Sequence, residues 1–264
     1  MRIRNLGALV TGASRGIGRA LAVELGRRGC RVALVARDPS GLDGVVQEVL
    51  QVGGEARAFP ADVRDAEAMQ EVAGKAASWL GRWQVVVANA GVGYHGPVLT
   101  TPAAQSEAVV SVNFLGTLNT LRAAAPFLQE AAPAAVGVVS SLSGLLPYRG
   151  GGIYAASKAA LNALLACLRL ELVHSRITLG WVCPGPVRTG LIVDGVPHRK
   201  LPVLARWTVP VLEPEQVAQA LLRLLEAGGG CKVIPWQAAL YVRVYRCYPR
   251  VAEWVLRTTG AGEV

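Results

Sequence analysis

The sequence predicts a doubly wound α/β fold, a three-layer sandwich with a seven-stranded parallel sheet between two layers of helices. Three observations carry this prediction. Short apolar runs of strand length alternate with helical patterns along the chain. A glycine-rich turn, Thr11-Gly12-Ala13-Ser14-Arg15-Gly16-Ile17-Gly18, joins the first run to the first helical pattern. Of the 264 residues, 52% are hydrophobic, enough to bury both faces of such a sheet as one domain over 1–264.

Strands are expected at 7–11, 31–36, 55–59, 84–89, 135–140, 177–183 and 231–235. The first, Gly7-Ala8-Leu9-Val10, runs straight into Thr11-Gly12, and Ile17, Leu21 and Leu25 then recur at helical spacing until Gly29. Gly12, Ser14, Arg15, Gly16, Ile17 and Gly18 therefore lie where a strand hands over to a helix. Unpaired amides and a partial positive charge at such a helix start suit a pyrophosphate, and glycine lets the backbone approach it. The spacing is Gly-x-x-x-Gly-x-Gly, not the commoner Gly-x-Gly-x-x-Gly, so this string alone is also compatible with a turn that binds nothing. The next strand, Cys30 to Arg37, supplies the second βα unit that a dinucleotide site requires.

That strand ends Val35-Ala36-Arg37, with no carboxylate to hold ribose hydroxyls. Arg37 and Arg15 instead suit a 2′-phosphate, which predicts NADP(H). Asp38 comes one residue late and is expected to cap the following helix.

The fifth strand, Val136-Gly137-Val138-Val139, leads into Ser140-Ser141 at the carboxyl edge of the sheet, where such folds bind ligands. Tyr154 and Lys158 follow four residues apart, on one face of a helical pattern over 153–173. A free phenol has a pKa of about 10, and a neighbouring ammonium is expected to lower it. Tyr154 is then a general acid or base, and Ser141 steadies charge on the reacting oxygen. Singly, a serine after a strand is a turn residue and a Tyr/Lys pair is a surface pair. Their order, together with the glycine turn, points to hydride chemistry on a carbonyl or alcohol.

With Thr11 to Gly18, Asn89-Ala90-Gly91, Asn113, Ser141, Tyr154 and Lys158 in order, the chain resembles the short-chain dehydrogenase/reductase family over about residues 5–235. The resemblance implies a Rossmann-type domain. It places Asp62 and Val63 at the adenine ring. It gives Asn89-Ala90-Gly91 the support of the central strand and the lining of the cofactor, with Ala88 in place of a more frequent asparagine. Pro184, Gly185, Val187 and Thr189, within Pro184-Gly185-Pro186-Val187-Arg188-Thr189, are implied to hold the nicotinamide carboxamide. Lys158 is implied to hold the nicotinamide ribose. Asn113, inside a helix over 103–130, is implied to support a water chain to Lys158, and 190–212 forms a substrate lid. Tyr94, His95, Leu142, Leu145, Leu146 and Tyr148 complete an apolar pocket for a small-molecule substrate. The expected function is NADPH-dependent reduction of a lipophilic ketone or aldehyde. An NADPH-sensing regulator without turnover and a membrane-docked interaction protein stand as alternatives.

Other features bound this reading. The cysteines Cys30, Cys167, Cys183, Cys231 and Cys247 show no metal-ligand spacing, so no metal is expected. They read as reduced, mostly buried thiols, and the N-terminus enters strand one almost directly; both favour a cytoplasmic protein. No run reaches the roughly 18 apolar residues of a membrane span. The net charge of +9 comes mostly from scattered arginines without a basic run, so no nucleic acid is expected.

The helices over 103–130 and 153–173 carry Ala123, Ala124, Ala125, Ala159, Ala160, Leu161, Leu164, Leu165 and Leu168, more apolar surface than one sheet face covers. A homo-oligomer built through this pair is expected, a dimer rather than a tetramer. In the extension 236–264, Leu240, Val244, Tyr248, Val251 and Val255 form an apolar stripe, with Arg243, Arg246, Arg250 and Arg257 on another face and a break at Pro249. The stripe lies on a membrane surface, or it packs on the domain or a partner subunit.

Overall fold

The computed structural model describes residues 1–189, 209–251 and 253–254. Its sheet is seven-stranded and parallel, in the order β3-β2-β1-β4-β5-β6-β7. The strands are β1 Gly7–Thr11, β2 Arg31–Ala36, β3 Glu55–Pro60, β4 Trp83–Ala88, β5 Ala134–Val139, β6 Ile177–Pro184 and β7 Gly230–Ile234. The chain reverses its direction of travel across the sheet between β1 and β4, which opens a crevice at their carboxyl ends.

The five inner strands read as nearly continuous apolar runs because both faces are covered, while the edge strands β3 and β7 are partly exposed. In β2, Val32 and Leu34 face a core with the helices α1 Gly16–Arg27 and α2 Pro39–Gln51, where they meet Leu21 and Leu42. Ala33 and Val35 face the other core, with α3 Ala66–Leu80, α5 Gly116–Glu130 and α6 Gly152–Glu171, and α4 Ala103–Val110 packs against α6. The helix α7 Pro214–Glu226 joins the first core through Val217, Leu221 and Leu225.

The expected helix over 103–130 is continuous but not uniform. Between α4 and α5 lies a π-turn, Ser111–Leu115, in which the Gly116 amide reaches back to the Ser111 carbonyl. Such a turn widens a helix by one residue and often marks a functional position. Asn113 sits inside it, fully buried.

Four expectations need correction. Among the described residues, α6 is long and apolar enough to cross a membrane by length and composition. Its Leu161 and Leu165 nevertheless lie in the core beside the sheet, and it carries buried Ser157 and Lys158. Ala123, Ala124, Leu161 and Leu165, counted above as surplus apolar surface, belong to this chain's own core. Ala159, Ala160 and Leu170 are among the residues α6 leaves exposed, and Val110 and Leu115 are exposed on the other helix of the pair. Only Cys30 and Cys183 are buried thiols; Cys167, Cys231 and Cys247 are exposed.

The fourth correction concerns the extension. It begins as α8, Trp236–Cys247, and ends two residues before Pro249. Ala238 and Val242 are its buried residues, and the expected stripe of Leu240, Val244, Tyr248 and Val251 is exposed rather than packed on the domain. Residues 190–208 of the expected lid lie outside the described residues, as do Val255 and Arg257.

Candidate active site

The glycine turn is held from both sides. Gly12 and Gly16 adopt left-handed backbone angles, φ +64° and +56°. A Cβ on Gly18 would lie 2.1 Å from the Gly12 carbonyl oxygen, so only glycine lets α1 start this close to β1. Asn89, just past β4, donates its side-chain amide to the carbonyls of Thr11 (3.0 Å) and Gly12 (3.2 Å). The Thr11 hydroxyl accepts from the amides of Asn89 (3.1 Å) and Ala90 (3.3 Å).

From the other side comes Thr189. Its methyl carbon lies 3.1 Å from where a Cβ on Gly16 would stand. Gly185 donates to Ile234 O at 2.7 Å, and Arg188 donates to Leu212 O at 2.9 Å, which fixes the segment from Pro184 to Thr189. Ile17 packs on the core. No side chain caps α1 and no acidic residue stands in its first turn. Open amides, a glycine cradle and no opposing carboxylate fit a pyrophosphate.

Arg37 follows β2, Arg15 stands in the turn with Ser14, and both arginines are exposed. Asp38 caps α2 as expected, accepting from the Ser40 amide at 3.2 Å and its hydroxyl at 2.8 Å. Those bonds, with Gly41 and more weakly Arg15, hold its carboxyl below the usual range. Asp62 accepts from Arg64 Nε (2.9 Å) and its terminal nitrogen (2.6 Å). That guanidinium lowers the Asp62 pKa, with a smaller contribution from Arg37. The Val63 side chain belongs to the core, packed where a Cβ on Gly116 would stand 2.5 Å away. Only the Val63 backbone is thus left to meet an adenine. Asn119, which sequence reasoning missed, donates to the Val63 and Arg64 carbonyls at 3.0 and 3.2 Å.

The catalytic candidates converge at the carboxyl end of β5. Ser141 is buried; its hydroxyl accepts from the Ser143 amide at 3.1 Å and lies near enough to the Tyr154 phenol to influence it. Burial pushes the Tyr154 phenol up to about 12, against the opposing influence of the Ser141 hydroxyl, and Tyr148 adds to the rise. Lys158 is 3% exposed, donates to Val139 O at 3.1 Å, and is lowered by burial to about 8. The expectation that its ammonium depresses the phenol is therefore corrected. Lys158 is not among the groups shifting Tyr154, because its head group turns to the Val139 carbonyl and burial dominates both side chains.

Asn113 accepts from the Val92 amide at 2.8 Å and donates to Val92 O at 3.0 Å and to Ser157 Oγ at 3.1 Å. Ser157 in turn donates to Tyr154 O at 2.7 Å. A Cβ on Gly91 would lie 3.3 Å from Asn113 Oδ1 and 3.7 Å from Lys158 Nζ, so Gly91 leaves the space between them. Asn113 thus braces the loop after β4 against α6.

Ser157 and Asn162 were also missed by sequence reasoning. Ser157 lies inside the string that carries Tyr154 and Lys158, which was its only signal. Asn162 Oδ1 accepts from Ser140 at 2.6 Å and lies 3.6 Å from Cys183 Sγ. Of the expected pocket residues, Tyr94, His95, Leu142, Leu145, Leu146 and Tyr148 are all half-buried. The His95 and Tyr148 rings stack with centroids 6.3 Å apart. Tyr148 occupies the space beside Gly151, where a Cβ would fall 2.1 Å from its ring, and burial raises its phenol. No metal-binding group of three or more His, Cys, Asp or Glu occurs among the described residues.

A family model described as short chain dehydrogenase matches residues 7–198. The chain is 34% identical over 184 residues to the 2,3-dihydro-2,3-dihydroxybenzoate dehydrogenase of Bacillus subtilis, covering 70% of this chain and 70% of that protein. It is similar to the structure of an alcohol dehydrogenase from the archaeon Thermococcus sibiricus complexed with 5-hydroxy-NADP. There the TM-score is 0.77 at 30% identity, over 87% of this chain and 95% of that one. A short chain dehydrogenase/reductase from Burkholderia phymatum in complex with NAD shares the fold, with a TM-score of 0.84 at 22% identity over 100% and 99% of the two chains.

Proposed function

The chain belongs to the short-chain dehydrogenase/reductase family, and on that footing we propose that this oxidoreductase is an NADP(H)-dependent reductase of lipophilic ketones or aldehydes. The observation that carries the reading is the meeting of Ser141, Tyr154 and Lys158 at the carboxyl end of β5, with the phenol raised by burial. At neutral pH such a phenol keeps its proton, so it is poised as a donor. A nicotinamide cofactor, held by the glycine turn from Gly12 to Gly18, would supply the hydride when bound. Tyr154 gives its proton to the carbonyl oxygen as charge develops there, and Ser141 holds that oxygen with a hydroxyl already fixed by Ser143. In this reading Lys158, which lies between Val139 and Gly91, holds the ribose.

The choice of NADP(H) rests on Arg15 and Arg37 and on Asp38 being occupied as a helix cap. The lipophilic substrate rests on the half-buried leucines Leu142, Leu145 and Leu146 beside Tyr148. The exposed apolar residues Val110, Leu115 and Leu170 support a homodimer through the α4–α5 and α6 pair.

NADPH oxidation measured against a panel of ketones, aldehydes and quinones tests the reading. Turnover of apolar carbonyls that is lost in Tyr154→Phe, with NADPH binding kept, supports it. A preference for NADH, or turnover in the phenylalanine variant equal to wild type, refutes it.

A further inference from the structure

We propose that α8 and the turn after it seat the protein on an anionic lipid bilayer. Trp236, Leu240, Val244, Tyr248 and Val251 are 73%, 55%, 40%, 64% and 56% exposed. Within α8, Trp236, Leu240 and Val244 step by four residues along one side of the helix, and Tyr248 and Val251 follow past its end. The side turned to the protein buries only Ala238 and Val242. The larger apolar residues of this segment therefore point away from the core, the reverse of a helix that serves only its own domain.

The charge around the stripe is of one sign. Arg243, Arg246 and Arg250 are exposed, and among the described residues none forms an ion pair with a carboxylate. Between Glu226 and Glu253 the chain has no acidic residue at all. By helical spacing, Arg243 and Arg246 flank the stripe.

This pattern decides between the two occupants of such a face. A second copy docked by two-fold symmetry presents the same patch to itself. That brings the arginines of both copies into one interface, with no carboxylate between residues 226 and 253 to separate them. An anionic bilayer instead takes up all three charges, accepts the aliphatic stripe among its acyl chains, and suits Trp236 and Tyr248 at headgroup level.

The position of the face adds a reason. α8 leaves the sheet from β7 at the carboxyl edge, and the Pro235 ring lies 3.4 Å from where a Cβ on Gly185 would stand. Gly185 belongs to the segment that reaches Thr189 and the glycine turn. The docked surface therefore adjoins the mouth of the site. The docking itself does not rest on the proposed reaction and is read without turnover.

The test is flotation of the full-length protein with vesicles of phosphatidylcholine alone and of phosphatidylcholine mixed with phosphatidylglycerol. The protein should float with the phosphatidylglycerol vesicles and be released by high salt. Each arginine near an anionic surface contributes about fivefold to partitioning, so the triple variant Arg243→Gln, Arg246→Gln, Arg250→Gln should bind about a hundredfold more weakly. The pair Trp236→Ser, Leu240→Ser should also lose binding. An unchanged melting temperature shows that the variants are folded. Failure to float with phosphatidylglycerol vesicles overturns the proposal, as does equal flotation of the triple variant. A larger assembly in light scattering that Leu240→Glu dissociates, with no flotation, assigns the face to a second copy.

Discussion

The Asn113 side chain donates to the Ser157 hydroxyl at 3.1 Å, and Ser157 passes a hydrogen bond to the Tyr154 carbonyl at 2.7 Å. The two bonds tie the π-turn to the first turn of the catalytic helix, one residue from Lys158. Ser157→Ala would strand one buried amide hydrogen of Asn113, at a cost of about 1–3 kcal/mol. We expect a lower melting temperature and a reduced kcat, with KM for the carbonyl little changed. Thermal melts and steady-state kinetics check this. A variant that only melts earlier, with wild-type kcat, would reduce Ser157 to a structural bond.

Ser141 and Tyr154 should respond differently to removal. Tyr154→Phe deletes the proton donor and should abolish reduction. Ser141→Ala deletes a fixed hydroxyl at the reacting oxygen and should lower kcat by roughly 10²- to 10³-fold, as for a single oxyanion-hole donor. Single-turnover rates separate these losses from product release.

Lys158 predicts a pH-dependent trade between stability and function. Burial lowers its pKa from 10.5 to about 8. Between those values the unfolded chain binds more protons than the folded one, so this group adds stability as pH rises through that window. Below pH 8 its buried charge weighs against the fold. Lys158→Met removes that penalty, on the order of a few kcal/mol at most. The melting temperature of the methionine variant relative to wild type should be highest near pH 7 and fall steadily towards pH 10. Melts across that range give the sign directly, and a gap that widens with pH would contradict the assignment.

The cofactor end has its own test. Arg37→Ala and Arg15→Ala should each weaken NADPH by roughly tenfold or more, since a charge-assisted contact is worth about 1.5–3 kcal/mol, and leave NADH nearly unchanged. Comparing kcat/KM for both cofactors decides it.

The exposed small-residue face of α6 should respond to charge. Ala159→Glu or Ala160→Glu places a carboxylate at the centre of the proposed two-fold contact and should convert a dimer to monomer in light scattering. A wild-type protein that is already monomeric would remove that contact.

The inner strands were legible because each is buried on both faces, so Val32 to Ala36 or Val85 to Ala88 can be nothing but apolar. The site was legible where chemistry demands a residue type at a fixed spacing, as at Gly12 to Gly18 or Tyr154 and Lys158. The π-turn left no trace, since one shifted backbone hydrogen bond needs no special residue. Helical periodicity marked Ala123 and Ala124 as apolar without saying whether this chain or another covers them. The phenol's direction of shift was misread for a related reason. Spacing shows that a lysine is near, but not that burial outweighs it or that the ammonium faces Val139.

A lysine that sits at about pH 8 in the unliganded protein also makes ligand capture a proton-exchange event. At that pH about half the molecules carry a neutral amine there. A ligand that hydrogen-bonds the ammonium form must then draw protons from the buffer. Its calorimetric heat will shift with the ionisation enthalpy of the buffer chosen, phosphate against Tris, and the slope of that dependence counts the protons taken up by one buried side chain.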